Sequence, residues 1–169
     1  MKRFPSAAEH PSYTFDTFVV TEGSREAFSL AVAVAENPGM THNPLILHGR
    51  TGGGKTHLLH SIAHAIRSRR PGANILRISA ETFAAQLVAA IRTKGWPAFE
   101  RELEAVDVLL LDHLRLAPDR KSTQEEIFRT MEGLLSRGAQ VVAVLEVLPT
   151  DRLIVERPLF RSAVFAEVG

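Results

Sequence analysis

The chain has 169 residues, 45% of them hydrophobic, with a formal net charge of +1 and no cysteine. That length suits one domain with a substantial apolar core; the missing thiols exclude disulfides and thiolate metal sites, and the balanced charge excludes a chain-wide grip on a polyanion. No apolar run approaches the roughly 18 residues needed to span a bilayer, and the start Met1-Lys2-Arg3-Phe4-Pro5 lacks the apolar stretch of a signal peptide, so no membrane contact and a cytoplasmic location are expected.

Residues 1–12 are polar and proline-bearing and read as a flexible N-terminal arm. Residues 13–20 place aromatics on an extended segment. A helix is expected over 24–36, burying Phe28, Ala31, Val32 and Ala35, and Asn37-Pro38-Gly39 stops it. Leu45-Ile46-Leu47 reads as a short buried strand. After it, Leu58, Leu59, Ile62, Ala63 and Ile66 share one helical face. A second strand is expected over 74–79, and a helix carries Phe83, Leu87, Val88 and Ile91 until Gly95-Trp96-Pro97 breaks it. A short helix near 99–103 leads to a buried third strand over 106–112. Ser122 and Glu125 have capping-box spacing, opening a helix that buries Ile127, Met131, Leu134 and Leu135 and ends at Gly138. A fourth strand over 141–145, a brief helical stretch over 150–156 and a fifth strand over 163–168 complete the pattern. Strands alternating with helices predict an α/β domain over 13–169 with a mainly parallel sheet covered on both faces. With strand five expected this close to residue 169, no further domain is expected.

Gly49-Arg50-Thr51-Gly52-Gly53-Gly54-Lys55-Thr56 fits G-x-x-x-x-G-K-[ST], between an expected strand and an expected helix. Glycines let the backbone approach an anion and take positive φ, and the helix N-terminus adds partial positive charge. Lys55 then reaches terminal phosphates, and the Thr56 hydroxyl ligates Mg²⁺. Asp112 closes the third strand, where the second Mg²⁺-organising group of such folds belongs. His113 follows it at a position where a carboxylate would polarise the attacking water. Its imidazole differs from a carboxylate in reach, direction and charge. The fourth strand ends Val144-Leu145-Glu146, with no polar γ-phosphate sensor, and Glu146 reads as a solvated loop residue.

Several segments resemble the nucleotide-binding domain of the bacterial replication initiator DnaA. They are residues 13–20, 31–39 and 43–45, then Gly54-Lys55-Thr56-His57-Leu58-Leu59-His60, Val106-Asp107-Val108-Leu109-Leu110-Leu111-Asp112 and Thr123-Gln124-Glu125-Glu126. The wider group includes regulators such as Hda and the helicase loader DnaC. The resemblance implies a P-loop NTPase with an AAA+ core, five strands in 5-1-4-3-2 order and flanking helices. The usual helical lid and the DNA-reading domain are expected to be absent from this length. It implies ATP or ADP as cofactor, with the base near Phe18 and Val19, phosphates on residues 49–56 beside His57, and Mg²⁺ at Thr56 and Asp112. His113 would take the catalytic position, and Arg161 is a candidate arginine finger acting in trans. Ala84 and Lys121 fall near positions that line a single-stranded DNA channel in the initiator. Implied partners are replication proteins (DnaA itself, a polymerase clamp or a helicase-type partner), single-stranded DNA, or further copies of this chain.

Three functions follow as expectations. The leading one is a DnaA-related ATP- or ADP-binding protein in replication initiation or its regulation, with weak hydrolysis. The others are an active ATPase assembling on single-stranded DNA, and a nucleotide-free scaffold for a replication partner.

Overall fold

Near-continuous burial along four of the five strands builds the centre of this domain. A computed structural model describes residues 6, 8–116, 121–146, 148 and 155–169. After two 3₁₀ turns, Phe15–Thr17 and Glu22–Ser24, the described α-helices and strands begin in chain order with α1 (Arg25–Glu36), β1 (Leu45–His48), α2 (Lys55–Arg69), β2 (Ile75–Ser79) and α3 (Ala80–Arg92). They continue with α4 (Trp96–Glu104), β3 (Val108–Leu114), α5 (Lys121–Ser136), β4 (Gln140–Leu145), α6 (Pro158–Arg161) and β5 (Val164–Glu167). The sheet runs β2-β3-β4-β1-β5, every neighbouring pair parallel; this is the expected 5-1-4-3-2 order read from its other edge.

Successive side chains of a strand point to opposite faces, so β1, β2, β3 and β4 each feed two cores. Val108 and Leu110 of β3, with Leu45, Leu47, Val142 and Val144, pack against α1 and α2 through Ala31, Val34, Leu58, Leu59 and Ile62. Leu109 and Leu111, with Ile78, Val141 and Ala143, pack against Phe83 and Leu87 of α3, Phe99 of α4, Phe128 and Met131 of α5, and Leu159 of α6. The unbroken apolar runs of β3 and β4 have this cause: both faces are covered.

Several elements depart from the sequence expectation. Residues 13–20 are not simply extended, because Phe15–Thr17 forms a single 3₁₀ turn closed by the Thr14 and Thr17 side chains. Helix α1 buries Ala27, Ala31, Val34 and Ala35, with Phe28 and Val32 half-buried, since small residues let it lie close to α2. Gly95-Trp96-Pro97 both ends α3 and opens α4. Pro97 sits in the first helical turn, where a missing N–H breaks no bond. Helix α5 already includes Lys121 and Ser122, so Ser122 is not its cap. Helix α6 was not expected. The helix expected over 150–156 falls largely outside the described residues.

Candidate functional site

Between β1 and α2 the chain makes a tight turn whose glycines are required by shape. Gly49, Gly52 and Gly54 have φ of 130°, 83° and 100°, a region that side chains with a Cβ rarely enter. A Cβ at Gly53 would run into the Val168 carbonyl oxygen, and one at Gly54 would lie 2.7 Å from Cε2 of Phe18. Gly52 has open space in front of it. Arg50 and Thr51 are exposed at the crest of the turn. The turn is thus fixed from below by the end of β5, where Val168 N–H donates to the His48 carbonyl at 2.8 Å, and from the side by Phe18.

Lys55 opens α2 and is buried to 8% exposure. Its Nζ donates to the Gly49 and Arg50 carbonyls, both at 2.6 Å, which holds the ammonium inside the turn. Burial lowers its pKa from the ordinary value, and the carboxylates of Glu146 and then Asp112 pull it back up. Thr56 Oγ1 donates to Oδ1 of Asp112 at 3.4 Å. The structure therefore brings together the loop, the lysine and two hard oxygen ligands from separate elements, a donor set suited to Mg²⁺ beside a phosphate.

Asp112 is buried to 4% exposure within β3, and its Oδ1 accepts the His113 backbone N–H at 2.9 Å. That local bond accompanies a break in register between Leu111 and Leu114 against β4. His113 takes the left-handed conformation, φ 55°, and turns its ring outward. Nδ1 lies 3.5 Å from Oε1 of Glu146 and Nε2 lies 3.8 Å from Oδ2 of Asp112. Glu146 in turn forks onto Arg115, with Nε to Oε2 at 3.0 Å and Nη2 to Oε1 at 3.2 Å. The Arg115 hydrogen bond, the largest cause, holds the Glu146 carboxyl below its usual range. Sequence reasoning missed this cluster and took Glu146 for a solvated loop residue. The available signal was that Arg115 and Glu146 each follow an apolar strand directly.

Phe18 stacks on Phe28, ring centroids 5.7 Å apart, and Phe15 meets Phe28 edge-on at 5.5 Å. Beside them Val19 is 79% exposed. His57 stacks on Tyr13 at 4.6 Å and meets Phe18 edge-on; its Nε2 donates to the Thr14 carbonyl at 2.9 Å and lies 3.2 Å from Thr17 Oγ1. These contacts make His57 a staple between residues 13–18 and α2. Arg161 is exposed at the last residue of α6.

A parallel sheet with a lysine-bearing glycine turn after its β1 strand, and an aspartate near the end of β3, one strand removed from β1, defines a P-loop domain of the AAA+ type. Residues 10–157 match the family model for the bacterial DnaA ATPase domain, and the chain belongs to that family. It is 39% identical over 142 residues to the chromosomal replication initiator protein DnaA of Enterococcus faecalis, covering 84% of this chain and 32% of that protein. Domain III of DnaA from Thermotoga maritima superposes with a TM-score of 0.87 at 31% identity, covering 96% of this chain and 69% of that one. A replication initiator DnaA bound to AMPPCP and single-stranded DNA gives 0.82 at 29% identity, covering 94% and 50%. The chain thus spans about a third of the length of the curated relatives it matches. Among the described residues no helix is long and apolar enough to cross a membrane.

Proposed function

We propose that this domain binds ATP or ADP with Mg²⁺ in the turn between β1 and α2, hydrolyses it slowly, and serves in replication initiation or its control. The observation that carries the reading is the convergence of Lys55, Thr56 and Asp112 around a turn held open by glycines. The AMPPCP-bound DnaA structure supports it. In this reading residues 49–56 hold the phosphates, and Phe18 and Val19 flank the base. Mg²⁺ held by Thr56 and Asp112 supplies charge neutralisation at the phosphates. His57 acts by fixing Phe18 against the turn rather than through the nucleotide. Slow turnover follows from His113, which offers an outward-facing ring where a carboxylate would orient water, a contribution worth roughly 10²–10⁴-fold.

The test is a titration of labelled ATP and ADP with Mg²⁺, alongside Lys55→Ala. Saturable binding below millimolar is expected, weakened roughly tenfold to a hundredfold in the variant through loss of charge-assisted bonds. Absence of saturable binding, with the melting temperature unmoved by either nucleotide, leaves the scaffold reading in its place.

An open groove of about 1180 Å³ between α3 and α5, lined by Ala84, Val88, His113, Arg115 and Ile127, favours a second reading. Here the domain assembles on single-stranded DNA, with Lys121 contacting the strand and Arg161 completing a neighbour's site. ATP-dependent, salt-sensitive strand binding that is lost in Lys121→Ala supports it. Other partners in keeping with the family are DnaA, a polymerase clamp or a helicase-type protein, and co-purification with each discriminates among them.

A further inference from the structure

Ser6 and residues 8–13 run along the β2 edge of the sheet and the flank of α2. Because β2 has a neighbour on one side only, the Arg77 backbone groups that point away from β3 need partners from elsewhere. Ser6 Oγ serves both, accepting the Arg77 N–H at 3.2 Å and donating to the Arg77 carbonyl at 3.4 Å. Arg77 itself is buried to 7% exposure. Its Nη2 donates to the Ala8 carbonyl, while its Nε has no hydrogen-bond partner among the described residues. An unmet donor on a buried guanidinium is costly, so losing the Ala8 carbonyl would deepen an existing deficit. Glu9, with a side chain 12% exposed, pairs with Arg67 of α2 at 3.0 Å. His10 holds α2 twice: its N–H donates to His60 Nδ1 at 2.8 Å, and its carbonyl accepts from His64 Nε2 at 3.0 Å. Ser6, Ala8 and Glu9 precede residues 10–157, the span shared with the family.

This row of contacts ends beside the glycine turn. Tyr13 is held between the rings of His10, at 4.1 Å, and His57, at 4.6 Å. His57 follows Thr56 directly and donates to the Thr14 carbonyl. From there one 3₁₀ turn, stiffened by the Thr14 and Thr17 side chains, leads to Phe18, which lies against Gly54. Val19, 79% exposed, takes its place from this segment rather than from a core. The position of Phe18 and Val19 thus depends on anchors far outside the turn.

We propose that Ser6 and residues 8–13 form a strap whose docking on α2 and β2 sets the affinity for the base half of the nucleotide, by holding Phe18 and Val19 in place. The inference rests on the reading that Phe18 and Val19 flank the base. Nucleotide binds the docked arrangement, so its apparent dissociation constant rises as the docked fraction falls. The phosphates sit on the glycine turn and Lys55 and do not sense the strap. Glu9, Arg67 and Tyr13 are therefore positioning residues, acting through the segment that ends at Val19.

Calorimetric titration with Mg-ATP and with Mg-tripolyphosphate separates the base half of the site from the phosphate half. Wild type should bind ATP more tightly than tripolyphosphate. Glu9→Gln and Arg67→Met lie outside the cores and should fold, which thermal melting checks. Each should weaken ATP roughly two- to fivefold, the scale of one partly exposed ion pair, and leave tripolyphosphate unchanged. The double variant should do no worse than either single one, since the two side chains act as a pair. Tyr13→Ala should weaken ATP roughly tenfold through loss of the stacked ring, whereas Tyr13→Phe, which keeps that ring, should match wild type. By reciprocity, ATP should slow amide exchange over residues 8–14 and tripolyphosphate should not. Equal losses for the two ligands would mean that the strap merely supports the whole fold, and this overturns the proposal. Unchanged ATP affinity in Glu9→Gln, Arg67→Met and Tyr13→Ala overturns it as well. If wild type binds tripolyphosphate as tightly as ATP, the base is not seated on Phe18 and Val19, and the strap proposal falls while the phosphate turn stands. If wild type binds neither, the nucleotide reading is refuted first and the strap falls with it.

Discussion

His113 occupies a backbone conformation, φ 55°, that favours Asn, Asp and Gly over bulky side chains. Aspartate therefore fits that backbone while restoring a carboxylate next to Asp112. His113→Asp should raise steady-state phosphate release roughly tenfold or more; an equal or lower rate would show that position 113 does not limit turnover. The glycine turn supports a second comparison at this scale. Gly52→Ala meets no neighbouring atom and should destabilise by about 1–2 kcal/mol through backbone conformation alone. Gly54→Ala carries the same backbone term and also drives into Phe18. It should therefore lower the urea midpoint further and weaken nucleotide binding, whereas equal midpoints for the two variants would show that Phe18 does not press on the turn.

The short helix α6 is anchored by charge as well as by apolar packing. Arg157, just before it, contacts Glu125 Oε2 at 2.6 Å and Glu132 Oε2 at 3.1 Å on α5, with its guanidinium 5.1 Å from the Phe128 ring centre. Phe128 in turn meets Phe160 of α6 edge-on at 5.3 Å. The Glu125 hydrogen bond raises the Arg157 pKa, so the cation is favoured in the fold, and removing it leaves two carboxylates facing one another. Arg157→Met should destabilise by about 1–3 kcal/mol, at the lower end of the range for part-buried networks because both glutamates keep access to water. Faster amide exchange confined to α6 would locate the effect there; uniform exchange across the sheet would contradict the anchor. Sequence periodicity fixed the long elements because two or more turns of apolar spacing are hard to mistake. A four-residue helix opened by proline carries no such period, and its position depends on partners 25 to 32 residues away.

At the scale of the whole domain, the described part of the N-terminal segment lies against α2 and β2. Arg77 N–H donates to Ser6 Oγ at 3.2 Å, Glu9 pairs with Arg67 at 3.0 Å, and His10 N–H donates to Nδ1 of the buried His60 at 2.8 Å. Tyr13 is sandwiched between the rings of His10 and His57. Burial, the largest cause, then Arg77, with His10 and His64 adding to it and Asp112 opposing, lowers the His60 pKa from 6.5 to about 4. The fold therefore favours the neutral ring, while the unfolded chain takes up a proton as pH falls below about 6.5. Stability is full above that pH and is lost toward pH 4, by up to about 3 kcal/mol from this group. Urea unfolding at pH 7 and pH 5 should show the slope, and His60→Asn, which keeps an acceptor near Nδ1 but does not titrate, should flatten it. The order of elements, the glycine turn and the Lys55, Thr56 and Asp112 positions were legible in the amino-acid sequence alone, because each rests on spacing within one segment or on residue chemistry that a short motif carries. The seating of Phe18 against Gly54, the outward turn of His113, the fork between Arg115 and Glu146 and the burial of His60 under His10 were decided only by tertiary structure. Each joins residues that are distant in sequence or bends a strand locally, and the parallel order of β3, β4 and β1 sets which charges become neighbours.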